Sequence, residues 1–252
     1  MLIFEYISIN KSHKQLTNEV TGLFEDFSEY YTHTYDFEDN SIIKFIKNRG
    51  GIHQKVLEVG GNNGNVIDNI FKYTPIEEGY NLELTPIFSK YQVNDNIVFI
   101  NGSALNLPFK DGSFDVVVIR LLLHHLVGSS ITGSITNAQR VVDELIRVTR
   151  NGGYILIEDI YNKYKIYSSI TFYILLILSK LNLSSRFFLI HKNLIVLFLT
   201  IKEIRSLLNK ENVEIVEEEI REPHQPLKFK VTVLLSKTGR IFLAGLKGDD
   251  KD

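Results

Sequence analysis

Apolar positions along the chain change their spacing. From residue 16 to 31, Leu16, Val20, Leu23, Phe24, Phe27, Tyr30 and Tyr31 recur at steps of three and four, the period of one helix face. A second stretch of this kind starts after Ser41, runs through Ile42, Ile43, Phe45 and Ile46, and stops at Gly50 and Gly51. Beyond it the apolar runs shorten to strand length: KVLEV (55–59), YNLEL (80–84), IVFI (97–100), DVVVI (115–119), YILIE (154–158), VEIVE (213–217) and KVTVLL (230–235). Helical stretches separate most of them. The clearest covers 136–149, where Ala138, Val141, Val142, Leu145, Ile146 and Val148 make a broad face closed by Asn151-Gly152-Gly153. This alternation predicts an α/β fold with a mostly parallel sheet and helices on both faces.

In such a sheet the first strand-to-helix turn, at the carboxyl end of its strand, is the favoured ligand site. Here that turn reads LEVGGNNGN (57–65). A dinucleotide fingerprint needs G-x-G-x-x-G, yet from Gly60 the sequence places Asn62 and Asn65 where the second and third glycines belong. Asn62 is among the few non-glycine residue types that visit positive φ at modest cost, so a tight turn survives it. Glu58, at the strand end, would repel a pyrophosphate but suits a cationic group, and closely approaching backbone suits a carboxylate. Glu83 ends the next strand, 23 residues after Gly60, where an acid would accept from both hydroxyls of a ribose.

These residues resemble the first motif of class I S-adenosylmethionine-dependent methyltransferases, [DE]-x-G-x-G-x-G, with Glu58, Gly60, Asn62 and Gly64 at the matching positions and Asn62 replacing the middle glycine. The resemblance lies with the small-molecule, methyltransferase-type-11-like branch. It continues through INGSALNLPFKDGSFDVVVIRLLLHHL (100–126), LIRVTRNGGYILIEDI (145–160) and TIKEIRSLLNKENVEIVEEEI (200–220). It implies a Rossmann-like, doubly wound, seven-stranded sheet with N-terminal helices and a helical lid, and S-adenosyl-L-methionine as cofactor. It assigns the cofactor to Glu58, Gly60, Gly61, Asn62 and Gly64, to Glu83 and Leu84, and to Ser103, Ala104 and Leu105. Ser103 and Ala104 would bracket the adenine and Leu105 pack on it, although the family usually has aspartate where Ser103 stands. The implied division is a helical cap (1–50), a cofactor-binding core (51–160), a lid (161–199), completion of the sheet (200–238) and a C-terminal tail (239–252). Thr200 and Glu203 form a capping box that fixes one helix start without reference to any family.

Residues after the fourth strand face the acceptor in this family, which makes Arg120, His124 and His125 the candidate catalytic groups. A histidine suits a general base near neutral pH; packing or capping a helix start is the alternative. No [DNS]-P-P-[YFW] segment follows that strand, which argues against amino-group methylation of adenine or glutamine. Glu158 and Asp159 are adjacent on a strand and so point to opposite faces, which disfavours a divalent-metal site, and no metal is expected.

Charge and composition narrow the acceptor. The formal net charge of −2 gives no general attraction to nucleic acid, and the absence of cysteine excludes thiolate ligands, disulfides and cysteine nucleophiles. MLIFEYISINKSHK at the start lacks a secretory pattern, so a cytoplasmic location is expected. Between Asp159 and Glu203 there is no acidic residue, while Lys163, Lys165, Lys180, Arg186, Lys192 and Lys202 fall inside that interval. The same interval holds two uncharged apolar runs, 166–179 and 193–201, each too short to span a bilayer. The segment reads either as a lid completing the core or as an amphipathic lid that also meets an anionic membrane. Two functions follow. One is methyl transfer to a hydrophobic small molecule, quinone-like, prenylated or lipid; the other is a catalytically silent binding module using the lid as a partner surface.

Overall fold

The computed structural model describes residues 39–49, 53–180, 195–222 and 238–249. The helix expected over 16–31 and the strand expected over 230–235 lie outside them. In chain order the elements are α1 (Ser41–Arg49), β1 (His53–Val59), α2 (Asn65–Tyr73), β2 (Ile76–Glu83), β3 (Ile97–Asn101), β4 (Phe114–Arg120), α3 (Ile131–Val148), β5 (Thr149–Asn162), α4 (Lys165–Lys180), α5 (Ile201–Leu208), β6 (Val213–Arg221) and β7 (Thr238–Lys247). Short 3-10 turns cover Pro86–Tyr91 and Leu123–His125.

The seven strands form one sheet in the order β3-β2-β1-β4-β5-β7-β6. β1 pairs parallel with β2 and β4, and β7 alone runs against its neighbours β5 and β6. The middles of the central strands are apolar at successive positions because both faces are covered. Val116 and Val118 of β4 enter one core with Ile42, Phe45 and Ile67 from α1 and α2; Val117 and Ile119 enter the other with Val141, Leu145 and Ile204 from α3 and α5. A run without alternation is what burial on two sides demands.

Several boundaries differ from the sequence reading. α3 begins at Ile131 rather than 136. Gly133 and the β-branched residues around it weaken the local helix signal, but Ser130 accepts from the Gly133 N–H at 3.1 Å and starts the helix there. The capping box at Thr200 and Glu203 forms as expected, the side chain of each bonding the backbone N–H of the other. The segment read as a C-terminal tail, 239–252, is a correction: up to Lys247 it is strand β7, inserted between β5 and β6. Its pattern was hidden by Gly239, Arg240, Gly245 and Lys247, yet Ile241, Phe242, Leu243 and Ala244 are all buried. Residues 195–199 have no regular structure but are buried too, so this part of the second apolar run is core. No helix among the described residues is long and apolar enough to cross a membrane.

Candidate active site

The carboxyl ends of β1, β2, β4 and β5 gather most of the residues singled out from sequence. The glycine turn after β1 is held from below. Gly60 donates to the Leu82 carbonyl at 2.7 Å, and both Gly60 (φ 72°) and Gly64 (φ 77°) are left-handed. Asn62 also has positive φ, 49°, which is the conformation expected of a residue standing in for glycine. A Cβ on Gly61 would lie 2.4 Å from Asn81 Oδ1 and 2.5 Å from Glu58 Cδ, so no side chain fits there.

Glu58 does not stand free at the turn. It is buried, and its Oε2 accepts from the Ile67 N–H at 2.9 Å, supplying the acceptor that the start of α2 lacks because Gly64 has no side chain to cap it. Burial pushes its carboxyl up to about 8, with Ile67 and Arg120 pulling the other way. Glu83 is buried as well, and burial also raises it. Its oxygens accept from Thr85 N at 2.9 Å and from Asn62 N at 3.2 Å, tying the end of β2 to the turn. Asn101 donates to the carbonyls of Glu83 and Leu84 at 3.0 and 2.6 Å and brings the loop after β3 alongside. In that loop Ser103 Oγ accepts from Leu105 N at 3.3 Å, Ala104 is fully buried, and Leu105 packs half-buried on the same core.

The groups after β4 fall on two sides of the sheet. Arg120 points to the α1 side, where its Nε donates to Glu158 Oε1 at 2.9 Å; Asn40 donates to the other Glu158 oxygen at 2.7 Å. Leu121 follows with φ 54°, costly by about 1 to 2 kcal/mol for a branched side chain, and is tied by its N–H to the Glu158 carbonyl at 2.8 Å. The chain thereby turns over, setting Leu122 against Gly60. His124 is then buried on the other side with its Nδ1 2.6 Å from Asp159 Oδ1, while Asp159 Oδ2 accepts from Leu123 N at 2.6 Å. The His124 ring lies between His125, at 4.1 Å between centroids, and Phe198, stacked at 5.4 Å. Burial holds the His125 ring well below the usual histidine range, with His124 adding to the effect. The structure thus unites His124 with His125 and separates both from Arg120.

Four contributors escaped the sequence reading. Asn81, two residues before Glu83 and so on the same strand face, is fully buried; its Nδ2 donates to the Asn62 carbonyl at 2.9 Å, while its Oδ1 has no partner. Asn40, Asp159 as the partner of His124, and Phe198 are brought in by tertiary packing. Only Asp159 had a signal, since adjacent Glu158 and Asp159 must serve opposite faces. No group of three or more histidine, aspartate or glutamate side chains suited to a metal occurs among the described residues. A concavity of about 550 Å³ lined by Asp111, Arg147, Arg150 and Lys247 opens at the other end of the sheet, away from these groups.

Comparison with known proteins agrees with this layout. Residues 57–157 match the methyltransferase domain family model. A curated relative, methyltransferase str2 of Strobilurus tenacellus, is 30% identical over 131 residues, which is 50% of this chain and 44% of the relative, so the chain spans less than half of that protein's length. Among solved structures, an S-adenosylmethionine-dependent methyltransferase of Methanosarcina mazei superposes with a TM-score of 0.59 at 16% identity, covering 82% of this chain and 98% of its own. The [4+2]-cyclase SpnF gives 0.58 at 11% identity, covering 86% and 84%. Taken with the strand order and the glycine turn, these matches identify residues 57–157 as a methyltransferase domain of the class I S-adenosylmethionine-dependent type.

Proposed function

We propose that the chain transfers a methyl group from S-adenosylmethionine to a hydrophobic small-molecule acceptor, with His124 as general base. The buried His124–Asp159 pair beside the glycine turn is the observation that carries this reading. The residues present fit the cofactor. Gly60 and Gly64 are left-handed and let the turn pack tightly on Leu122 and Asn81, Asn81 Oδ1 is an orphaned acceptor beneath it, and Glu83 offers an acid at the end of β2. When bound, S-adenosylmethionine supplies an electrophilic methyl group on a sulfonium, so the protein has to position the acceptor and remove its proton.

Asp159 accepts only, so the short contact fixes His124 Nδ1 as the protonated nitrogen and leaves Nε2 as the acceptor of a substrate proton. The imidazolium that forms would be stabilised by the same carboxylate. Glu83 would hold the ribose hydroxyls, Ser103, Ala104 and Leu105 the adenine, and Arg120 a carboxylate such as the one the cofactor carries. An apolar acceptor is supported by Leu197 and Phe198, which contact His124, and by α4, whose Ser168 donates to the Phe198 carbonyl. The turn, α2 and the loop after β3 would then act as the cofactor unit, residues 51–160, and the segment 161–199 as the acceptor lid. Incubation with cofactor and a panel of quinone, phenol and prenyl acceptors, read by mass, tests the reading. Cofactor binding without turnover on any of them would favour the silent binding module, whose partner surface would be the exposed side of α4.

A further inference from the structure

We propose that α4 is an interfacial helix by which the protein docks on an anionic lipid surface. The helix is apolar on both sides. Phe172, Leu175 and Leu176 are buried against the sheet, while Ile166, Ile170, Tyr173, Ile174 and Ile177 face outward and are 37 to 65% exposed. Their spacing of four, three, one and three residues puts them in one stripe along the helix. Ordinary exposed helix faces are polar, and an apolar ridge of this length marks a contact site.

The chemistry around the ridge selects the occupant. Lys163 and Lys165 precede the exposed stripe, Lys180 closes it, and Arg186, Lys192 and Lys202 follow without an intervening acid, in a chain of net charge −2. Glu222 and Glu203 reach Lys163 and Lys165 at 3.7 and 2.7 Å, but the sequence from 160 to 202 contributes six cations and no acid of its own. A second copy packed on this ridge would bring two basic segments together, whereas anionic headgroups complement them. An exposed stripe of isoleucine with tyrosine is the composition that an acyl boundary accepts. With one face packed on the sheet, α4 would lie in the plane of the surface. Ser168 Oγ donates to the Phe198 carbonyl and Phe198 stacks on His124, so the docked helix stands one contact from the histidine pair. An acceptor dissolved in the bilayer would enter from that side.

The test is cosedimentation of the full chain with vesicles of phosphatidylcholine alone and with a rising fraction of phosphatidylglycerol, without cofactor or acceptor, so its outcome is independent of methyl transfer. Binding should rise with the anionic fraction and fall with salt. The triple variant Ile166→Glu, Ile170→Glu, Ile177→Glu, all exposed positions, should bind roughly tenfold or more weakly, with unchanged melting temperature and cofactor affinity. Absence of binding to anionic vesicles, equal binding to neutral ones, or undiminished binding by the variant would overturn the proposal. A wild-type dimer abolished by the same substitutions, with no vesicle binding, would assign the ridge to a second copy and overturn it as well.

Discussion

The two sides of the sheet solve different problems at the same strand ends. On the α1 and α2 side β1, β2, β4 and β5 end in polar groups, Glu58, Asn81, Glu83, Arg120 and Glu158, nearly all buried and held by backbone N–H groups or by one another. On the α3, α4 and α5 side the His124–Asp159 pair, with His125 beside it, sits among Leu122, Leu197 and Phe198, and the helix beyond it is largely apolar outward as well as inward. A dense polar frame fixes geometry at the expense of burying ionisable groups, which suits one invariant ligand. An apolar wall with one polar pair is permissive, since a hydrophobic pocket discriminates weakly between compounds of similar size. The contrast predicts that the first side sets what binds and the second sets what reacts.

The largest break in that contrast is His124→Ala, expected to lower kcat by about 10² to 10⁴ while leaving cofactor affinity within twofold; single-turnover kinetics with calorimetry checks it. Asp159→Asn should follow the same direction with a smaller loss. Next comes the pH response of the polar side. Glu58 is raised from an ordinary 4.5 to about 8, so the folded chain holds a proton that the unfolded chain has lost over that window, and stability falls as pH rises across it, by up to about 1.4 kcal/mol per pH unit for one proton. Glu83 shifts in the same direction. Glu58→Gln keeps the acceptor for Ile67, so denaturation curves at pH 5 and 8 should show the decline shrinking in the variant rather than vanishing.

Glu83→Ala should weaken cofactor binding by about 1.5 to 3 kcal/mol, more than any single change on the apolar side; equal binding to wild type would remove Glu83 from the site. Gly61→Ala should lower stability by about 1 to 3 kcal/mol, because its Cβ has to displace Asn81 and Glu58. The smallest effects concern Asn62, where Val should cost about 1 to 2 kcal/mol at φ 49° and Gly only tenths. Thermal melts of both variants separate conformational need from side-chain chemistry. If valine and glycine behave alike, the positive φ is not what Asn62 is there for.

How much of this was legible depended on whether the signal was local. The middles of β1, β4 and β5 were readable because burial on two faces writes continuous apolar runs, and Asn62 because few residue types tolerate its conformation. β7 was not, because two glycines and two cations interrupt the pattern that pairing with β5 and β6 rescues. The glycine turn and Glu83 could be placed by spacing from a strand end. The link from Asp159 to His124 spans 35 residues and rests on Leu121 turning the chain over, which no periodicity announces. Arg120 and the histidines, four and five residues apart, end on opposite sides for the same reason.

The position of β7 also bears on how the polypeptide is made. β5 and β6 both emerge from the ribosome before Thr238, yet in the folded sheet they are not neighbours, because β7 lies between them. Until it arrives, β5 presents a bare hydrogen-bonding edge flanked by Ile155, Ile157 and Tyr161, the kind of surface that recruits the wrong neighbour. Synthesis should therefore be the vulnerable period of this protein's life. Chaperone capture ought to persist until β7 is released, and a nascent chain stalled before Thr238 should aggregate where the released chain does not.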